Sequence, residues 1–229
     1  MLTIVSIFLP FLYTQLPHHM PSVHRFNVIS PLACAALFIL VALCQHTHAR
    51  TVNRVIIDAG HGGKDKGAHR GSVYEKNLNL QVAKRVEALL KAKGMPVTMT
   101  RRSDTYISLA SRAAIANRYR HAVFVSIHFN AHTSSRYHGV ESYYYGTEGS
   151  KLAAHIHLRL LSRLKIRNRD TRQRKDLAVL RRTKCPAVLI ECGYISNPAE
   201  RKRCTTSAYQ YNCARAIADG ILAYKNFYK

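Results

Sequence analysis

Acidic residues are scarce in this chain: 12 Asp and Glu stand against 35 Lys and Arg among 229 residues, a formal net charge of +23. That imbalance implies a polyanionic partner or surface, with nucleic acid, anionic lipid and wall polymer all open. Nucleotide-binding fingerprints are missing too. The Gly-rich segment from Gly60 to Gly67 holds neither G-x-G-x-x-G in frame nor G-x-x-x-x-G-K-[ST], so a cradle for a nucleotide phosphate is unsupported. There is no internal repeat, low-complexity tract or interdomain linker, which leaves no separate binding module. The apolar run from Pro31 to Cys44 is shorter than the ~20 residues that cross a bilayer as a helix. With 47% hydrophobic residues the chain is nonetheless too apolar to be disordered and long enough to bury one substantial core.

That run has the layout of a secretory signal: Arg25 before it, Thr47-His48-Ala49 after it, and an expected cut following Ala49. Extended back to Val28 it is also long enough for a retained anchor. A further apolar segment, Leu2 to Leu16, is foreign to a signal, and Met20 is a more ordinary start, so residues 1–19 are expected to lie outside the physiological product. Residues 1–49 are thus read as a signal and 50–229 as one folded domain, exported to a periplasm or extracellular wall space. Their removal takes away one basic residue, Arg25, and no acidic one, so the positive excess belongs to the domain. Four cysteines stay: Cys185, Cys192, Cys204 and Cys213. Export invites disulfides. A Cys185–Cys192 bridge is disfavoured, because an extended strand would separate their Cα atoms by roughly 23 Å. Cys204 and Cys213 are expected to join, with buried free thiols the alternative for Cys185 and Cys192.

Beyond Arg50, short apolar runs alternate with amphipathic stretches. Strands are expected at 52–58, 95–100, 122–129, 139–145 and 187–192, and helices at 77–93, 108–120, 150–164 and from 207 to about Tyr224. The pattern predicts a single α/β domain whose largely parallel, twisted sheet carries helices on both faces. In such sheets the site lies beyond the carboxyl ends of the strands. Those ends carry His61, His128 and Glu191, and Glu75 stands where the first helix begins at the same rim. Two imidazoles and one carboxylate around an open fourth position suit catalytic zinc, leaving the other carboxylate for proton transfer. Taken singly, a histidine at a strand end is a polar cap and Glu75 a helix-start acid. A carboxylate inside V-L-I-E-C is different, since buried charge demands a partner.

D-A-G-H-G-G at 58–63, Glu75-Lys76-Asn77, S-I-H-F-N-A at 126–131, G-V-E-S-Y-Y-Y at 139–145 and P-A-V-L-I-E-C-G-Y-I-S-N at 186–197 occur in one order. Together they resemble the zinc-dependent N-acetylmuramoyl-L-alanine amidases of the type 3 amidase family, over Val52 to Tyr224. The resemblance implies one Zn2+ held by His61, Glu75 and His128, catalysis by Glu191, and supporting positions at Arg112 and Asn117. It implies a peptidoglycan hydrolase that cuts between N-acetylmuramic acid and L-alanine. Two departures stand out: Asp170, where the family favours glycine, and Cys192, where it favours other small residues. Alternation along the strand turns Cys192 away from the face used by Glu191, which speaks against a cysteine nucleophile.

The rival classes are a nucleic-acid-binding protein using the basic stretch Arg159–Lys184, and a non-catalytic wall binder. Export opposes the first and the filled ligand positions oppose the second. The expected partners are peptidoglycan and anionic envelope polymers, with no nucleic acid and no stable membrane insertion after signal cleavage. The segment between His128 and Glu191 leaves no room for a blocking helix, so a monomer with an open cleft and no obligatory activator is expected.

Overall fold

The computed structural model describes residues 51–228. The signal and start-site expectations fall on residues 1–49 and lie outside the described residues. Six strands form one sheet in the order β4-β1-β5-β8-β6-β7: β1 (Arg54–Ala59), β4 (Val97–Met99), β5 (Ala122–Asn130), β6 (Val140–Tyr145), β7 (Asn168–Gln173) and β8 (Ala187–Tyr194). All neighbours run parallel except β6 and β8, so the expected α/β architecture is observed. A two-stranded ladder of β2 (His69–Arg70) and β3 (Val73–Tyr74) precedes the first helix.

The alternation of β1, β5 and β8 produces two cores. Val55, Ile57, Val123, Val125, Ile127, Val188 and Ile190 point into the larger one, which is covered by α1 (Glu75–Lys91), α3 (Gly146–Leu164) and α6 (Ser207–Phe227). Ile56, Phe124, Ala187 and Leu189 point the other way, into a smaller core under α2 (Leu109–Asn117) and the short α4 (Ala178–Arg181). Leu78, Val82, Val86 and Leu90 form a four-residue-spaced stripe on α1 and are all buried, each worth roughly 1.5–3 kcal/mol of transfer free energy. The helix ends before Gly94, whose φ of 71° closes the turn.

Several elements differ from expectation for local reasons. The strand at 95–100 is cut to Val97–Met99, and Pro96, which has no N–H to give to a ladder, stands just before it. The helix at 108–120 starts from a Ser108 cap, whose hydroxyl accepts the Ser111 N–H, and stops at Asn117. α5 (Pro198–Cys204), outside the expected helices, has its own helix-start chemistry, Asn197 capping Glu200 and proline in the first turn. β7, part of the basic stretch, is outside the expected strands because it has no apolar alternation. It is an edge strand, and its charged residues blunt that edge. Asp170, in the place of the family's glycine, adopts a φ of 68°, a left-handed conformation that aspartate tolerates. The Cys204–Cys213 bridge is not formed: all four cysteines are free thiols, and Cys192, Cys204 and Cys213 are buried in the larger core. Among the described residues no helix is long and apolar enough to cross a membrane.

Candidate metal centre and active site

Parity places the site. Asp58, Ser126, His128, Glu191 and, across the antiparallel pair, Glu141 belong to the same sheet face as the smaller core, but toward the rim, where α2 and α4 no longer cover it. Polar side chains take over there. Asp58 is buried and accepts hydrogen bonds from Thr100 Oγ1, Ser126 Oγ and Arg112 Nη1, each at 2.7 Å. Burial works to raise its pKa, but the Arg112 charge and these bonds together hold the carboxyl below its ordinary value. Arg112 also donates to the carbonyls of Ala59 and His61, both at 2.7 Å, and Arg101 to those of Ala59 and Gly60, both at 2.8 Å. Two guanidinium groups thereby fix the backbone that carries His61.

His61 itself has a φ of 59°, a conformation costly for a residue with a Cβ. Its Nδ1 faces Asp65 Oδ2 at 2.8 Å, which turns Nε2 toward Glu75 Oε1 at 3.1 Å. A carboxylate behind an imidazole is how proteins orient a histidine ligand. Glu75, the first residue of α1, accepts the Ala68 N–H on Oε2, while Oε1 faces His128 Nδ1 at 2.8 Å. Against the cost of burial, the bonds from His128 and His61 hold the Glu75 carboxyl far below the ordinary range. The two imidazole rings meet edge to face with centroids 4.9 Å apart. Glycine is required around them: a Cβ on Gly60 would stand 2.2 Å from the His128 ring, and one on Gly67 2.6 Å from Glu75 Oε2.

One donor atom from each of His61, Glu75 and His128 lies within 4.8 Å of the others, so these three could hold a metal ion. The donor set suits zinc, and the neighbouring strand supplies a second sign of fit. Glu191, paired in register with His128, is half-buried, and its Oε2 is a buried oxygen without a hydrogen-bond partner. Burial, then the negative charges of Glu75 and Glu141, push the Glu191 carboxyl well above its ordinary pKa.

The four residues singled out in the sequence are therefore gathered at one rim, with Arg112 behind them. Asn117 is not: it holds the Arg182 carbonyl and the Lys184 N–H, at the far end of α2. Sequence reasoning missed Asp65, Asn79 and Glu141. Asn79 donates to the Gly60 carbonyl at 3.1 Å and follows Glu75 by one helical turn, a spacing that could have revealed it. Glu141 faces Glu191 across the antiparallel pair and accepts from Asn130, Tyr143, Tyr194 and Arg172.

The Amidase_3 family profile, N-acetylmuramoyl-L-alanine amidase, matches residues 55–223. The chain is 37% identical over 174 residues to a probable cell wall amidase, LytH, of Staphylococcus saprophyticus, covering 74% of this chain and 57% of that one. It thus spans little more than half the length of that relative. Among solved structures, N-acetylmuramoyl-L-alanine amidase from Clostridium difficile 630 superposes with a TM-score of 0.73 at 40% identity, covering 77% of this chain and 98% of that one. The CwlD amidase from Clostridioides difficile, in complex with the GerS lipoprotein, gives 0.74 at 33% identity over 76% and 99% of the two chains.

Proposed function

The chain belongs to the Amidase_3 family of N-acetylmuramoyl-L-alanine amidases, and from that premise we propose how its rim works. The protein hydrolyses the amide joining the lactyl group of N-acetylmuramic acid to the L-alanine of the peptidoglycan stem peptide. His61, Glu75 and His128 hold one zinc ion, and Glu191 carries the proton. The observation that supports this best is the convergence of the three donors beside a carboxylate that keeps one oxygen unpartnered.

An amide resists hydrolysis because its carbonyl is resonance-stabilised and an amine leaves poorly. Zinc bound at the three donors supplies Lewis-acid polarisation and lowers the pKa of water from about 15.7 toward ~7. The chain's own groups do the rest. Asp65 holds the His61 ring so that Nε2 faces inward, and the Ala68 N–H together with Asn79 fixes the Glu75 carboxylate. Glu191 takes a proton from the attacking water on one oxygen and delivers it to the departing nitrogen. Its unpartnered Oε2 is free to accept that proton in the first step, and the protonated carboxyl is then the acid for the second. No nucleophilic serine or cysteine is required. Cys192 is buried on the opposite face of its strand.

Residues 1–49 act as the export signal and 50–229 as the catalytic domain, since the polymer to be cut lies outside the cytoplasm. The protein works as a monomer without an activator. The side chains of His61 and His128 keep 25% and 15% of their surface open to solvent, in support of a cleft that substrate can enter unaided. Metal analysis and activity of two variants test the assignment together. Glu191→Gln is expected to abolish hydrolysis and retain stoichiometric zinc, whereas His128→Ala loses both. Stoichiometric zinc in His128→Ala would sink the ligand set.

A further inference from the structure

We propose that Arg169 is the anchor for a substrate carboxylate, the one borne by the residue that follows L-alanine in the stem peptide; the identity of that peptide rests on the amidase reading above. This half-buried guanidinium differs from the two buried ones, Arg101 and Arg112. Arg101 and Arg112 are saturated with carbonyl and carboxylate acceptors. Arg169 has only 17% of its side chain exposed, yet its Nε is buried without a hydrogen-bond partner. Its one charge contact is Nε to Glu141 Oε1 at 3.9 Å, too long for a hydrogen bond. The nearer partner of that oxygen is Arg172, at 2.8 Å. Two cations thus share one carboxylate, and one positive charge stays in excess. A partly desolvated guanidinium with donors to spare is a fork matched to an incoming carboxylate.

Its mounting is rigid. The Arg169 guanidinium lies over the Tyr137 ring at 4.5 Å and the Tyr194 ring at 5.4 Å, and Tyr137 is stacked on His132 at 3.7 Å. The start of β7 is pinned by Asn168, whose Oδ1 accepts from the Asp170 N–H and faces His157 Nε2, both at 2.8 Å. Such a cation–aromatic stack fixes the plane of the group while leaving its far edge free.

Position ties it to the reaction. Because β6 runs antiparallel to β8 and β7 runs parallel to β6, the beginning of β7 reaches the rim that holds Glu191. Two strand spacings of about 4.8 Å separate β7 from β8. The arginine side chain spans part of that distance. The remainder is on the scale of an extended peptide residue, ~3.5 Å long. The residue after L-alanine in the stem peptide is an acid in its unamidated form, and its carboxylate falls in that interval.

The test uses binding, which does not depend on turnover. Calorimetric titration of the zinc-loaded protein with the tripeptide L-Ala-γ-D-Glu-L-Lys is compared with the same peptide amidated at the second residue, and with the peptide amidated at its C-terminus. The carboxylate form is expected to bind at least ~10-fold more tightly than the second-residue amide, the scale of a charge-assisted hydrogen bond. Amidation of the C-terminus is expected to change little. Arg169→Gln should erase the preference while leaving the melting temperature near that of the parent. Should the glutamine variant fail to fold, Arg169→Lys, which keeps the charge and the stem but loses the fork, is expected to reduce the preference. Equal binding of all three peptides by the parent overturns the anchor, as does a preference that survives Arg169→Gln or follows the C-terminal group alone. Hydrolysis of the matching muramoyl peptides is measured in parallel. A parent that discriminates in binding but cuts neither overturns the amidase reading and leaves the anchor standing. A parent that cuts both at equal rates and binds them equally overturns the anchor alone.

Discussion

Replacing Asp58 by asparagine probes the support on which the candidate metal site is built. The side chain is 1% exposed and receives three hydrogen bonds, one from Arg112, whose own side chain is 3% exposed. In Asp58→Asn the new side chain would keep one carbonyl oxygen for Thr100 and Arg112, but its amide group would face the Ser126 hydroxyl and the Arg112 charge would have no counterion. Removing one member of a buried pair costs about 3–5 kcal/mol, and the retained oxygen places this case near the lower end of that range. For a domain of this size each kcal/mol lowers the melting temperature by about 2–4 °C, so a fall of roughly 6–12 °C is expected at about pH 7. The pH dependence follows from the direction of the shift. The native carboxyl titrates below its ordinary 3.8, so its contribution is fully present above that value and disappears as pH falls through the lower native one. Calorimetric melts of both proteins from about pH 7 to about pH 3 should therefore show a constant gap down to about pH 4 and a narrowing gap below it. A drop under ~2 °C at neutral pH, or a gap that widens on acidification, would refute the reasoning.

Gly60→Ala should fold yet bind zinc at least ~10-fold more weakly, because the added Cβ displaces the His128 ring that it would approach to 2.2 Å; unchanged zinc affinity by competition titration counts against the geometry. Thiol titration without reductant should find Cys185 slow to react in the native protein, since burial pushes its thiol up to about 11, and Cys192, Cys204 and Cys213 reactive only after unfolding, given their burial; a Cys204–Cys213 disulfide found by peptide mapping refutes this. Binding to intact sacculi should weaken in about 1 M salt, where the Debye length is ~3 Å, if the basic Arg159–Lys184 surface concentrates the enzyme on anionic polymer; salt-independent binding would deny that surface a role.

Legibility in the sequence followed periodicity and chemistry. β1, β5 and β8 read clearly because both of their faces are buried, and α1 because its apolar residues recur every fourth position. The convergence of His61, Glu75, His128 and Glu191 was legible because each lies near the end of a strand or the start of a helix at the carboxyl rim, while the choice of Glu75 over Glu191 as the candidate ligand came from the family resemblance. β7 was not, since an edge strand of N-R-D-T-R-Q keeps its side chains out of the core and shows no apolar alternation. Glu141 and Arg169 had no local signature for a related reason: Glu141 meets Glu191 only because β6 reverses direction against β8, and Arg169 nears Glu141 only through the parallel pairing of β7 with β6. Asn117 misled because it shares a helix with Arg112, while its side chain serves the backbone on the far side.

The most direct test of the central claim is the mass spectrum of what the protein releases from purified peptidoglycan, recorded with metal, with a chelator, and after zinc is restored. Free stem peptides beginning with L-alanine, glycan strands with intact lactyl groups, loss of both products under chelation and their return with zinc are predicted. Release of disaccharide fragments or of peptides cut within the stem, or undiminished release under chelation, would contradict it.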